Sequence, residues 1–215
     1  EADIGQSKVG VTAERLMALS PKLKINQIAA SFSADSEVLA SSANPPSLIL
    51  DCADNEEASH ESNYYSLANS IPLVAASVYK SEGRITAFDG IGGPCYACSA
   101  PETQALSCSQ IGTLGPTPGI LGTLQASFAI GIISQYKPPK FGRMQIIDTA
   151  ELDVASFNLA KNPSCEACSQ SPDRRHRLQY RAESNKGTSM DIKQILPTDL
   201  KAKLDSGETI QLVDV

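Results

Sequence analysis

The chain of 215 residues has 41% hydrophobic and 20% charged side chains, which is the composition of an ordinary globular protein. Its 18 basic and 24 acidic residues give a net charge of -6, without the excess of positive charge that binding to nucleic acid normally needs. No apolar run approaches the roughly 20 residues that span a bilayer. We therefore expect a cytoplasmic protein that contacts neither a membrane nor, directly, nucleic acid.

The first part of the chain predicts alternating helices and strands. Residues 9–19 carry apolar side chains at helical spacing, and Pro21 follows where a helix would stop. Residues 23–28 alternate apolar with polar side chains, as a half-buried strand does. The next three predicted elements are a strand, a helix and a strand, at residues 47–52, 56–70 and 72–78. Both strands are short apolar runs typical of a parallel sheet, so the order predicts an α/β fold.

The second part of the chain continues this pattern and then changes. Residues 119–133 are apolar and rich in Gly and Ala, which predicts a helix packed closely against a sheet or a partner. Strands are predicted near residues 143–148 and 153–159. Residues 169–191 are polar and basic, which indicates either a solvated linker or a contact with an acidic partner. A helix start and a buried strand return in residues 192–215, which predicts the beginning of a second domain.

Two Cys-x-x-Cys pairs, Cys95 with Cys98 and Cys165 with Cys168, are the clearest chemical motif. Four thiolates held in two such pairs match a closed tetrahedral zinc site. The alternatives are a pair of disulfides or two independent redox motifs. A chain of this size without an apolar signal segment does not need disulfides for stability, so we expect one structural Zn²⁺.

Several segments, taken in order, carry a family resemblance. They are EADIGQSK at 1–8, LDCADN at 50–55, IPLVAAS at 71–77, EGRI at 82–85, GPCYAC at 93–98, GTLGP at 112–116 and GILGTLQA at 119–126. Together they resemble the MoeB/ThiF family, the ubiquitin-activating-enzyme-like group that adenylates sulfur-carrier proteins. Residues 195–215 resemble the opening of a rhodanese domain. The subgroup that joins both is the molybdopterin-synthase adenylyltransferase and sulfurtransferase, with a relative in transfer-RNA thiolation.

The resemblance implies a Rossmann-like α/β sheet with four-cysteine zinc knuckles. Residues 1–168 would form the C-terminal part of the adenylation domain, residues 169–191 a linker, and residues 192–215 the start of a rhodanese-like α/β domain. Adenylating members also have an N-terminal strand, a Gly-rich phosphate-binding turn and an arginine that acts on pyrophosphate. These parts have no match in the sequence, so we expect them on a longer form of the protein or on another chain.

The resemblance also implies a reaction and its participants. The C-terminal glycine carboxylate of a ubiquitin-like carrier, which ends in Gly-Gly, would attack the α-phosphate of ATP and release pyrophosphate. Sulfur would then displace AMP to give a thiocarboxylate, with a cysteine desulfurase as a possible sulfur donor. Mg²⁺ and cationic side chains would offset the phosphate charge. A homodimer is expected.

Three residues match the nucleotide-binding positions of the family. Asp54 would hold Mg²⁺ and the nucleotide, Asn55 would contact the nucleotide or fix the turn, and Lys8 would reach the phosphates. By themselves, Asp54 and Asn55 are also typical of a helix cap, and Lys8 of a solvated surface. The family often has an arginine where Ser59 stands, which puts nucleotide binding in the usual manner in doubt.

The other cysteines have separate predicted roles. By resemblance, Cys108 is the catalytic cysteine that forms a thioester or disulfide with the carrier, and Cys52 is expected to be a small core residue. Asp51 is expected to be structural. An alternative function remains, in which the chain is a non-catalytic, zinc-stabilised module that binds a ubiquitin-like protein.

Overall fold

A computed structural model of the protein describes residues 3–34, 46–99 and 112–168. The described residues divide into two compact units, the first with residues 3–31 and the second with residues 32–34, 46–99 and 112–168. Cys108 lies outside the described residues, as do the predicted linker at 169–191 and the predicted rhodanese start at 192–215.

The first unit contains the helix α1, Lys8–Leu19, which confirms the helix predicted at 9–19. Its N-terminus is capped by the Ser7 hydroxyl, which accepts a hydrogen bond from the backbone N–H of Gly10 at 3.4 Å. The strand predicted at residues 23–28 is wrong, since these residues form no regular element. Alternation alone does not make a strand, because a strand also needs a hydrogen-bonded neighbour.

The second unit is built on a five-stranded sheet in the order β1-β2-β3-β4-β5. The strands are Ile49–Asp51, Leu73–Tyr79, Glu82–Phe88, Arg143–Asp148 and Asp153–Asn158. Only β1 and β2 are parallel, and each later pair is antiparallel. The predicted parallel pairing of strands is therefore confirmed for β1 with β2 and is wrong for the later pairs of this sheet. The two residues Lys80 and Ser81 join β2 to β3, and a connection this short can only form a hairpin.

Helices cover the sheet and confirm the two long helices predicted in this part of the chain. They are α2, Glu56–Asn69, α3, Tyr96–Ser99, and α4, Pro116–Ser134. Leu121 of α4 packs on one face of the sheet against Val74 and Ile85. Gly83 allows this contact, because a Cβ there would lie 2.1 Å from Leu121 Cδ2. The opposite face carries a separate cluster around Leu73 and Phe88.

The helix α4 also changes one expectation from the sequence. It has 19 residues and a mean hydropathy of 1.3, so among the described residues it is long and apolar enough to cross a membrane. The expectation that no apolar run approaches this length is wrong for Pro116–Ser134. A single such helix is weak evidence for a span, because a core helix that packs on a sheet passes the same test.

Candidate functional site

The first candidate site lies where β1 ends and α2 begins. The Asp51 side chain is buried and accepts a hydrogen bond from the backbone N–H of Ala53 at 3.0 Å, which closes the turn after the strand. Asn55 caps α2, since its Oδ1 accepts from the backbone N–H of Ala58 at 2.9 Å. Asp51 and Asn55 thus fix the backbone on both sides of Asp54.

The carboxylate of Asp54 is exposed at the N-terminus of α2. Its hydrogen-bond partner in the described chain is the Asn55 amide, with 3.5 Å between Nδ2 and Oδ1. Glu56 and Glu57 follow in the first turn of the helix, so this edge of the sheet is locally acidic. A phosphate would be repelled here unless a cation were also bound, and carboxylate oxygens are suitable ligands for Mg²⁺.

Gln125 of α4 supports this edge and was not singled out from the sequence. It is buried, and its Nε2 donates to the carbonyl of Asp51 at 2.7 Å and to that of Val74 at 3.3 Å. One amide therefore joins the end of β1 to the beginning of β2. The signal in the sequence was a long polar side chain within an otherwise apolar helix, which needs buried hydrogen-bond partners.

Cys52 is exposed, so the prediction that it is a core residue is wrong. The apolar strand ends one residue earlier, at Asp51, and this leaves the thiol beyond the sheet. Its Sγ lies 3.5 Å from Gln125 Oε1. Partial burial and the nearby Asp51 carboxylate raise the pKa of the Cys52 thiol, which keeps it protonated and weakly nucleophilic.

Two further predicted positions lie in different units. Lys8 is the exposed first residue of α1 in the first unit, and its role on the phosphates stays a prediction. Ser59 lies one helical turn after Asn55 in the second unit. It is buried, and its Oγ lies 3.4 Å from the Asn55 carbonyl. Position 59 therefore supplies no positive charge to the neighbouring strand end.

The second candidate site is the group of four cysteines, which the fold brings together. Their sulfurs all lie within 4.8 Å of one another. The Sγ–Sγ distance is 3.9 Å from Cys95 to Cys98, 3.7 Å from Cys95 to Cys165, and 3.5 Å from Cys98 to Cys168. Tetrahedral ligands with metal–sulfur bonds of about 2.3 Å lie about 3.8 Å apart. The distances therefore fit a bound metal ion, and they are too long for the disulfide alternative.

Neighbouring residues hold this four-cysteine cluster in place. Buried Asn63 of α2 accepts from the backbone N–H of Tyr96 at 3.0 Å, and its Nδ2 lies 3.7 Å from Cys95 Sγ. Lys161 Nζ donates to the carbonyl of Gly92 at 3.1 Å, which joins the two cysteine segments. Asn63 was missed in the sequence, because nothing in its local pattern distinguishes it from a surface asparagine.

The cluster favours a cation on electrostatic grounds. Burial raises the pKa of the Cys95 thiol to about 11, and the nearby Cys165 and Cys98 also raise it. Burial likewise raises the pKa of Cys168. Metal binding requires the four cysteines in their deprotonated, thiolate form. Four adjacent thiolates would repel one another, so this form needs a positive ion at the centre of the cluster.

Comparison with known proteins identifies the family. The sequence pattern of the ThiF family matches residues 1–167. The molybdopterin-synthase adenylyltransferase of Escherichia coli is 32% identical over 173 residues, which are 79% of this chain and 69% of that protein. The chain belongs to the ThiF family.

Two further comparisons concern the sequence and the fold. The sulfur carrier protein adenylyltransferase of Thermus thermophilus is 27% identical over 191 residues, covering 84% of this chain and 69% of that protein. The crystal structure of Escherichia coli MccB with ATP matches with a TM-score of 0.63 and 19% identity, over 78% of this chain. The match covers 52% of MccB, so the chain spans about half the length of this structure. This likeness supports the Rossmann-like fold.

Proposed function

We propose that the full-length protein adenylates the C-terminal glycine of a ubiquitin-like sulfur carrier at the expense of ATP. The family match over residues 1–167 carries this proposal, and two of the relatives bear the name adenylyltransferase. The exposed carboxylate of Asp54 at the carboxyl end of β1 supports it, because ligands of open α/β sheets bind at this edge.

In this proposal each residue near the nucleotide has a separate task. Asp54 would hold Mg²⁺ through its exposed carboxylate, and the cation would supply charge compensation to the phosphates. Asn55 keeps Asp54 at the start of α2 through its cap. Lys8 would contact the phosphates with its ammonium group. The carrier's terminal carboxylate attacks the α-phosphate, and the electron pair of the broken bond leaves with pyrophosphate.

The experiment that tests the proposal is exchange of labelled pyrophosphate into ATP by the full-length protein. Exchange should depend on a carrier that ends in Gly-Gly, and a carrier lacking its last glycine should support none. A full-length protein that binds the intact carrier without exchange would instead support the alternative, a non-catalytic module. The buried serine at position 59 favours that alternative, because it leaves α2 without the arginine that the family often has there.

Sulfur transfer is the proposed second step, with Cys108 as the residue that forms the covalent link. The Cys108 thiolate would attack the carbonyl of the carrier adenylate, and AMP would leave, which gives a thioester. Sulfide would then displace the Cys108 thiolate and give the thiocarboxylate. A sulfur donor such as a cysteine desulfurase would supply this sulfur as a persulfide, from which a thiol reductant releases sulfide. We expect Cys108→Ala to retain pyrophosphate exchange within about twofold and to abolish the thiocarboxylate or the covalent carrier adduct, because a methyl group cannot act as a nucleophile. Intact-mass spectrometry of the carrier checks this. Retention of both products by Cys108→Ala would exclude the role.

A homodimer is proposed from the outer surface of α4. Ile130 and Ile133 are each 67% exposed there, and Tyr136 just after the helix is 72% exposed. Several large apolar side chains exposed close together in sequence are typical of an interface. Ile133→Glu should therefore turn a dimer into a monomer in light scattering, because it places a charge in the contact. Val154→Glu, on the exposed strand β5, is the matched control and should remain dimeric. Dimeric Ile133→Glu would contradict this interface.

A further inference from the structure

A small pocket lies on the face of the sheet opposite α4. It has a volume of about 80 Å³ and lies between the N-terminal half of α2, the helix α3 and the strands β2, β3 and β4. Sites that enclose small-molecule ligands are typically several hundred Å³ in volume. A pocket of this size suits one or two side chains of a bound peptide, and it is too small to enclose a nucleotide.

The lining of this pocket combines hydroxyl side chains with one cationic side chain. The hydroxyl groups belong to Ser59, Ser77, Thr86, Tyr96 and Ser99. Arg84 of β3 is the one charged residue among the described residues that line it. Since Ser59 carries no charge, a negative group in this pocket has one charged partner among the described residues, the Arg84 guanidinium, in addition to the hydroxyl donors.

Arg84 has donors available for such a group. Its Nε and one terminal nitrogen each lie 2.8 Å from Glu82 Oε1, and its side chain is 48% exposed. A guanidinium has five N–H donors, so this single acceptor leaves most of them open to a ligand. The contact with Glu82 also restricts the conformation of Arg84, which lowers the entropy lost when a carboxylate binds.

The register of the strands gives the distance from Arg84 to the candidate nucleotide site. Asp51, the last residue of β1, is opposite Ala75 of β2, while Arg84 of β3 is opposite Ser77. Arg84 thus lies two strands across from Asp51 and two residues further along β2. With strands about 4.8 Å apart and a rise of about 3.3 Å per residue, the Cα atoms are about 12 Å apart. An extended peptide covers this distance with three to four residues.

We propose that Arg84 recognises an acidic side chain at the third or fourth residue from the C-terminus of the carrier protein. The inference rests on the proposed function, which places the terminal carboxylate of the carrier beside the end of β1. The preceding residues then cross the pocket, and Arg84 pairs with the carboxylate of one of them. Arg84 is in this sense a residue that determines substrate specificity, and it does not take part in the chemical step.

Peptide binding to the full-length protein tests this proposal. The probes are fluorescent ten-residue peptides that end in Gly-Gly and carry Glu, Gln or Lys at both the third and the fourth residue from the end. We expect the Glu peptide to bind about two- to fivefold more tightly than the Gln peptide, because a partly exposed ion pair contributes this much. Arg84→Glu should reverse the order and favour the Lys peptide.

The matched control is Arg143→Glu on β4. Arg143 also belongs to the sheet, but it contacts Ser156, and the strand register places it on the opposite face from Arg84. This variant should keep the preference for the Glu peptide. Equal affinity of the wild-type protein for Glu and Gln peptides would overturn the proposal. So would an Arg84-dependent affinity that amidation of the peptide's C-terminus removes equally from the Glu and the Gln peptide, because Arg84 would then bind the terminal carboxylate.

The same variants separate this inference from the proposed function. If the protein prefers the Glu peptide through Arg84 but does not exchange pyrophosphate, the recognition of an acidic side chain stands and the proposed adenylation is rejected. Exchange with a carrier, combined with equal binding of the three peptides, would retain adenylation and reject the role of Arg84.

Discussion

Replacement of Asp54 by alanine is expected to lower carrier-dependent pyrophosphate exchange at least about a hundredfold in the full-length protein. Loss of one group that stabilises developing charge typically costs a factor of 10² to 10³. Asp54 is the exposed carboxylate between the Asp51 turn and the Asn55 cap, and the adjacent acidic residues make a cation necessary before phosphates can approach. The measurement is the exchange rate at saturating ATP, Mg²⁺ and carrier.

The fold of this variant should be unchanged. The cap of α2 is Asn55, and Asp54 makes only a long contact of 3.5 Å with its amide. An exposed side chain of this kind contributes no more than about 0.5 kcal/mol to the free energy of unfolding. Thermal unfolding of Asp54→Ala should therefore match the wild type within a few degrees.

Glu57→Ala is the control, because it also removes one negative charge from the first turn of α2. If its exchange rate falls as far as that of Asp54→Ala, the effect belongs to the charge of the helix terminus. If Asp54→Ala keeps normal exchange, Asp54 is excluded from the nucleotide site. We expect pyrophosphate exchange to be lost in Asp54→Ala and retained in Glu57→Ala. The exchange that remains in Asp54→Ala should depend less on the concentration of Mg²⁺.

The elements of the second unit could be predicted from the sequence, but the pairing of the strands could not be predicted in full. Periodicity and turn residues located α2, β2, β4 and β5 within a few residues of their observed bounds. The direction of each strand pair depends on the connection, and the hairpin at Lys80 and Ser81 reverses the chain after β2. Apolar character therefore predicted the positions of β1 and β2 correctly, full burial only for Leu73, Val74 and Ala75 of β2 and for Asp51 of β1, and parallel pairing only for β1 and β2.

The candidate sites differ in how far the sequence reveals them. The cysteine cluster depends on residue type and local spacing, so it was recognisable before the fold was known. Gln125, Asn63 and Arg84 matter because of what the fold places beside them, which are strand carbonyls, a cysteine sulfur and a pocket. Cys52 illustrates the same limit, because one residue of error at the end of β1 moves a side chain from the core to the surface.

One zinc ion per chain, bound by the four-cysteine cluster, is the second result that we expect to have a large effect. The sulfur distances of 3.5 to 3.9 Å match tetrahedral thiolates, and Zn²⁺ is the ion that closed four-cysteine sites usually hold. Structural zinc contributes an apparent binding free energy of about 10 kcal/mol or more, part of which stabilises the fold. Elemental analysis of the purified full-length protein measures the metal content directly.

Cys165→Ser should reduce the zinc content severalfold, because it removes one thiolate from the tetrahedron. Cys52→Ser is the matched control, since Cys52 is a free cysteine outside the cluster, and it should retain all of the metal. Equal zinc content in the two variants would exclude the cluster as the binding site.

Removal of the metal should unfold the cysteine segments before the sheet. Cys95, Cys165 and Ala167 form a buried cluster of their own, separate from the cluster that joins α4 to the strands and from the one around Leu73 and Phe88. With free zinc a thousandfold above its dissociation constant, binding stabilises the folded site by about 4 kcal/mol, and a chelator removes this contribution. Hydrogen exchange should therefore accelerate in α3 and in residues 159–168 first, while β2 and β3 stay protected. If the metal-free protein shows unchanged hydrogen exchange in α3 and in residues 159–168, the cysteines do not depend on an ion to stay together.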